Sequence, residues 1–223
     1  MKTFIHLLLL FLPWRLRRLL LCVIFGYKID PGAKIGFSLV MPAELEMGAK
    51  CTIGHFTICR ASVDRLSMAP GSSMGSFHLI TGISVKNKTH FQHILDRRCE
   101  MVIETGVGIP SRKFFDCNGG IYIGAYSTIA GQWTQFLTHS IDIYNSRQDA
   151  KPIRIGRYCF VGTGCVLLPG SGLPDYCVLG AGSVLTKMQT ESDCVYAGSP
   201  ATIKKRINHE NVPWMNRREL AVQ

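Results

Sequence analysis

The chain has 223 residues, 47% hydrophobic and 18% charged, with 22 glycines, 10 prolines and a formal net charge of +10. That length and apolar content suit one substantial core rich in turns and exclude a disordered chain. Nine cysteines, an odd number with no Cys-x-x-Cys pair, argue against a structural zinc or a complete disulfide framework and fit reduced thiols in the cytoplasm.

Much of the positive charge sits at the two ends. Lys2, Arg15, Arg17, Arg18 and Lys28 lie near the start, and Lys204, Lys205, Arg206, Arg217 and Arg218 near the finish. Such clusters can meet anionic lipid, nucleic acid or a phosphorylated ligand. No RNA- or DNA-binding motif and no interleaved basic–aromatic stretch accompanies them, so nucleic acid is not an expected partner.

Residues 1–28 form a hydrophobic and basic segment. Residues 4–12 are apolar except for His6, a basic stretch follows from Pro13 to Arg18, and residues 19–25 are apolar again. Neither run reaches the ~18 residues of a spanning helix. The charges do not precede the apolar core as in a secretory signal. The pattern predicts a helical hairpin or interfacial helix on the inner face of the cell membrane, with the arginines at the headgroups and Trp14 at the interface. The alternative is a helix packed on the rest of the protein or on a neighbouring subunit.

From Ile29 a period of six begins. Ile29, Ile35, Met41, Met47, Ile53 and Cys59 keep it, with Gly36, Gly48 and Gly54 following, and Met68, Met74, Ile80, Ile123 and Ile129 continue it in shorter pieces. The clearest tract is Ile155, Val161, Leu167, Leu173, Leu179 and Leu185. Two residues before its aliphatics stand Cys159, Cys165, Ser171, Cys177 and Ser183, all small, as an inward corner demands; the cysteines thus read as packing residues. Neither a helix nor an alternating strand has this period. A solenoid does: each hexad makes one short strand and a turn, and three hexads close a triangular turn. The expected fold is therefore an all-β solenoid over residues 29–187. The rhythm fails near 86–100 and again near 139–151, where loop excursions are expected and where sites are commonly built. Residues 188–223 are expected to be a C-terminal extension ending in a short basic helix.

The stretch 152–187, closed by Tyr196-Ala197-Gly198-Ser199-Pro200-Ala201, resembles the hexapeptide-repeat acyltransferases. The closer likeness is to enzymes that O-acetylate sugars in bacterial exopolysaccharide and capsule pathways. The resemblance implies a left-handed parallel β-helix and a homotrimer. It further implies acyl-CoA, acetyl-CoA above all, as donor in a groove between adjacent prisms. By position in the motif, Gly162, Thr163, Ala181, Thr186 and Lys187 are implied along the donor, and Lys205 near its nucleotide phosphates. A second basic position of the family is Thr202 here, so Lys204 or Arg206 would have to replace that contact.

Transfer of an acyl group from a thioester to a hydroxyl needs a base for the hydroxyl proton, and histidine is suited to it. No protein nucleophile and no metal is obligatory. His139, after Phe136-Leu137-Thr138, occupies the place of the family's catalytic histidine, and Asp142 is a candidate to orient its imidazole. On the acceptor side the candidates are Asp116 and Asn118, together with Trp133 and Gln135 on the preceding coil; Trp133 offers a sugar-stacking face. The family's usual aspartate position is Asn118 here, which puts that contact in doubt.

The expected function is acyl-CoA-dependent O-acylation of a sugar hydroxyl of a surface polysaccharide or its lipid-linked intermediate. The alternatives are transfer to an aminosugar amine or to serine, and a non-catalytic scaffold. The γ-class carbonic anhydrases share the repeat but need three zinc-binding histidines. Here His90 and His93 lie outside the repeat and His139 has no nearby companion.

Overall fold

The computed structural model describes residues 2–217. Lys28–Ile29, Lys34–Ile35 and Leu39–Val40 form the first turn of a coil. Each pairs in parallel with the strand one turn on: Glu44–Met47, Thr52–Ile53 and Ile58–Cys59 respectively. Repetition builds three sheets of seven, nine and seven strands, visited in rotation. This arrangement fits a left-handed β-helix of hexapeptide repeats.

The periodic aliphatics point into the prism. Val161, Leu167, Leu179 and Leu185 are fully buried, as are Ile80 and Ile129. Each such side chain contributes about 1.5–3 kcal/mol relative to exposure. The small corner residues Cys159, Cys165, Ser171, Cys177 and Ser183 are buried in the inner register expected of them. All nine cysteines are free thiols, and burial pushes Cys59 up to about 12 and Cys177 up to about 11, which keeps both as neutral packing groups. In the first turn the inward residue of the third strand is Val40, one residue before Met41, since that corner is one residue short.

The N-terminal segment forms two helices, α1 (Lys2–Leu9) and α2 (Trp14–Phe25), broken at Pro13. Arg15 lies outward, but Arg17 and Arg18 do not, contrary to the expectation of headgroup contact. Carbonyls of the first turn have no earlier turn to donate to them, and unpaired buried carbonyls are costly. Arg17 Nη1 and Nη2 donate to Gly36 and Ser38 O at 2.8 and 2.5 Å, Arg18 to Ile29 O at 2.9 Å, and the Trp14 indole to Ala33 O at 2.9 Å. Leu21, 1% exposed, closes the apolar core at this end. The outward face is apolar instead: Phe4, Leu8, Phe11, Leu19 and Val23 are all exposed. No helix among the described residues is long and apolar enough to cross a membrane.

The expected C-terminal basic helix is absent from the described residues. Lys204, Lys205 and Arg206 lie on a strand, Ala201–Arg206, that turns back at Gly198-Ser199-Pro200 and pairs antiparallel with Cys194–Gly198. Its backbone is claimed by the open edge of the second sheet, which outweighs a weak helical preference. Two single 3₁₀ turns follow, His209–Asn211 and Pro213–Asn216. Arg218, counted in the basic tail, lies outside the described residues.

Both breaks in the repeat leave the prism at the same corner, between the third and first sheets. The first runs from the end of Leu79–Thr81 to the start of Glu100–Ile103. The second is an antiparallel hairpin of His139–Asp142 and Arg147–Ala150. The corner of the intervening turn, Cys117-Asn118-Gly119-Gly120, lies between them.

Candidate active site

Parallel stacking sets the site. Phe114–Asp116 pairs with Gln135–Leu137 so that Phe115 lies beside Phe136 and Asp116 beside Leu137. Phe115 and Phe136 both fill the core, which brings the next residues of the two turns together at the corner. Asp116 therefore sits beside Thr138 and His139, more than twenty residues away in sequence.

The Asp116 carboxylate is 1% exposed and fully engaged. Its Oδ2 accepts from His139 Nδ1 at 2.5 Å and from the backbone N–H groups of Thr138 and His139 at 2.9 and 3.0 Å. Its Oδ1 accepts from Asn118 Nδ2 at 2.5 Å and Asn118 N at 3.1 Å. Burial pushes this carboxyl upward, but the His139 hydrogen bond and charge and the backbone donors outweigh it, holding it below its ordinary value. In return the hydrogen bond to Asp116 raises His139 above 6.5, against the opposing effect of burial. With its proton on Nδ1, shared with Asp116, the imidazole presents Nε2 as an acceptor, and its side chain is 39% exposed. Such a ring can take a proton from a neighbouring hydroxyl or amine, and the carboxylate stabilises the cation formed.

The sequence-nominated residues divide accordingly. Asp142 does not orient His139. Three residues along a strand, the two side chains point to opposite faces. Its carboxylate instead accepts from Tyr144 N, Asn145 N and Asn145 Nδ2, closing the hairpin's own turn. Asp116, nominated for the acceptor, fills the orienting position and has no lone pair left over. Asn118 lies 3.3 Å from His139 Nδ1 through its amide nitrogen, and its Oδ1 accepts from Ile83 N at 2.7 Å.

Trp133 and Gln135 share a hollow of about 430 Å³ with Phe77, Leu79, Arg112, Lys113 and Phe114. It lies along the outer face of the third sheet, whose far edge carries His139. The Trp133 ring is 67% exposed and has Arg112 at 5.9 Å. Thr163 stacks on the turn of Trp133, its Oγ1 accepting from Gln132 N at 3.0 Å. Gly162 is buried where a Cβ would stand 2.6 Å from Ala181 N, so close stacking of turns demands glycine there. Ala181 is exposed on the same corner one turn further on. Thr186 and Lys187 are exposed on the His139 corner, two turns beyond it, and Lys205 is exposed on the added strand of the second sheet. Within one chain these donor candidates do not converge.

The Asp116–His139 pairing was legible in principle, because counting from Phe115 to the equivalent Phe136 sets the two turns in register. Phe91, which lies edge-on to His139, carried no sequence signal, since its segment has no repeat. Among the described residues, no group of three or more His, Cys, Asp or Glu side chains is placed to hold a metal ion.

No family model matches the chain, and no curated protein matches it. Solved structures do. A mutant of AntD, an N-acyltransferase from Bacillus cereus in complex with dTDP and coenzyme A, is 12% identical, with a TM-score of 0.53 over 89% of this chain and 93% of that one. A hexapeptide transferase family protein from Anaplasma phagocytophilum is 16% identical, with a TM-score of 0.48 over 85% and 84%. A maltose O-acetyltransferase from Clostridium difficile 630 is 18% identical, with a TM-score of 0.42 over 73% and 69%. At these identities the likeness speaks for the fold alone, and the AntD superposition carries it: this chain shares the coiled β architecture of that structure.

Proposed function

We propose that this protein is an acyl-CoA-dependent O-acyltransferase, acetyl-CoA being the donor, with His139 as general base and a sugar hydroxyl as acceptor. The observation that carries the reading is the Asp116–His139 pair: a buried, fully bonded carboxylate on Nδ1 and a half-exposed ring with Nε2 free to accept. The donor brings an acyl group already activated as a thioester. His139 Nε2 takes the acceptor's hydroxyl proton as its oxygen attacks the thioester carbon. Asp116 stabilises the imidazolium while the carbon–sulfur bond breaks, and the proton then passes from Nε2 to the departing thiolate.

Three features support the donor and acceptor sides. The corner of Trp133 carries Phe56, Phe77 and Arg112 on other turns, then Gly164 and Gly182, where a Cβ would meet nothing within 4 Å. That bare ridge, beside Thr163 and Ala181, suits a long thin donor. Thr186 and Lys187 at the other edge suit its polar part, with Lys205 for phosphates. Because these groups do not converge in one chain, the reading includes a homotrimer whose neighbouring prisms complete the groove. The aromatic hollow at Trp133 and Gln135 suits a sugar face. We assign the acceptor to a surface polysaccharide or its lipid-linked intermediate. Accordingly, the outward apolar face of α1 and α2 rests on the inner face of the cell membrane, with Arg17 and Arg18 bound to the prism end and the exposed Arg15 left for headgroups.

Mass spectrometry of surface polysaccharide with and without the protein tests the reading. Loss of an acetyl group removable by mild alkali is expected; loss of an alkali-stable acetyl group would mean transfer to an amine, and no change would overturn acylation of this polymer. Deletion of residues 1–26 should move the protein from the membrane pellet to the soluble fraction. Full solubility of the intact chain without detergent would place the helices at the subunit interface.

A further inference from the structure

The first excursion contains no strand or helix, and most of its side chains are exposed, Leu95 at 95%. Phe91 departs from this. It is 5% exposed with a left-handed backbone at φ 59°, whereas Phe56, Phe77 and Trp133, left-handed at corners of the coil, are exposed. Two groups flank its ring. The Arg97 guanidinium carbon lies 4.7 Å from the centroid, and the His139 ring lies 6.1 Å away at 87°.

Arg97 is itself 8% exposed and is held by carbonyls, not by a carboxylate. Its Nη1 donates to Ile83 O at 2.8 Å and Asn118 O at 3.0 Å, and its Nη2 to Ser84 O at 3.0 Å. The planar fork thus ties the start of the excursion to the turn that holds Asp116 and Asn118. Asn118 Oδ1 completes the tie by accepting from Ile83 N. The segments around the imidazole carry Lys86, Lys88, His90, His93, Asp96, Arg97 and Arg98 on the excursion, Asp116 and Cys117 at the corner, Asp142 on its own strand, and Arg147, Asp149 and Lys151 on and after the paired strand; Asp116 alone among them bonds to the ring.

We propose that Phe91, clamped by Arg97, is a positioning residue of the acyl-transfer site. It walls one side of the His139 ring, so the ring keeps the orientation in which Nδ1 meets Asp116 and Nε2 opens to the acceptor. The inference rests on the reading of His139 as the base. It gives the first excursion a role that the repeat does not explain.

Diethyl pyrocarbonate, which modifies neutral imidazole nitrogen, tests this on the full-length protein without an acceptor. The rate of His139 modification is followed across pH by peptide mass spectrometry, with His139→Ala to assign the signal. In Phe91→Ala the ring opens to water while Asp116 remains. The plateau rate should rise about threefold or more and the midpoint move up by about half a pH unit. Phe91→Leu, which keeps an apolar wall, should return both toward wild type. Arg97→Lys, which keeps the charge and loses the fork, should behave like Phe91→Ala. Wild-type rate and midpoint in Phe91→Ala overturn the proposal. Should that variant fail to fold, wild-type behaviour of Arg97→Lys overturns it instead. If His139→Ala leaves CoA release intact, the acyl-transfer reading fails, while the modification profile still decides whether the excursion positions the ring.

Discussion

The late turns of the coil and the turns around His139 share one scaffold and use its corners differently. In the late turns the inner corner of the third sheet holds Cys165 and Ser183, small and buried, and the chain passes straight on. In the middle turns the same inner position holds His78 and Lys113, both buried. Lys113 Nζ donates to the carbonyls of Pro110, Ser111 and Gly131 at 2.9, 3.1 and 2.5 Å, while burial pushes His78 down to about 4. At the next corner the late turns continue without insertion, whereas the middle turns release both excursions and bury Asp116 between them. Strict repetition gives a uniform core of aliphatic and small residues whose buried thiols are pushed upward and stay neutral. Departures from it bury polar groups: Lys113 and Asp116 find specific partners, His78 Nε2 finds none among the described residues, and the partners of Asp116 make the site.

The contrast can be broken most sharply at His139. His139→Ala should lower acyl transfer by about 10²–10⁴-fold while leaving assembly intact, measured as CoA release and by gel filtration; full activity would remove the proposed base. In the late turns Leu185→Ala, two turns beyond Phe136, should cost about 2–5 kcal/mol of stability by denaturant unfolding. It should leave the His139 midpoint unmoved, because each turn contacts only its neighbours. Asp116→Asn keeps the shape and removes the charge, so activity should fall by about tenfold or more and the His139 midpoint should drop, each unit being about 1.4 kcal/mol. A rise in the midpoint would contradict the pairing.

The pH dependence carries two opposite signs. His139 is raised above 6.5, so the acid limb of the rate should lie above pH 6.5, where the ring becomes neutral. Its stabilising contribution runs the other way, complete below pH 6.5 and lost as pH rises through the folded value. His78 is depressed to about 4 and stays neutral in the fold. The unfolded chain therefore binds its proton first, and stability should fall as pH drops from about 6.5 toward 4. His78→Asn should flatten that slope in pH-dependent melting. The smallest effect is expected at Asp142: Asp142→Ala should leave rate and midpoint within about twofold, because its carboxylate serves its own turn. A large loss there would return Asp142 to the site.

The fold was readable because its signal is local and repeated. Ile155, Val161, Leu167 and their successors each announce an inward strand position, and the small residues two places earlier announce the corner. The site was readable only where motif and position coincide, at His139. Asp142 was favoured as its partner because it is near in sequence, whereas a solenoid brings together residues one turn apart, which is how Asp116 arrives. Arg17 and Arg18 resembled headgroup anchors, since the sequence does not display which carbonyls the first turn leaves without donors.

By itself the sequence determined the coil, its hexads, the packing role of the cysteines and the two places where the chain leaves the prism. Period and residue size are enough for that, because each hexad repeats one local geometry. Tertiary structure alone decided that both excursions leave by one corner and that Asp116 meets His139 there. It also decided that Phe91 and Arg97 close around them, that Lys204, Lys205 and Arg206 lie on a strand, and that the N-terminal helices turn apolar side chains outward. Those outcomes depend on stacking register and on which buried polar groups still need partners, and both are properties of the assembled coil.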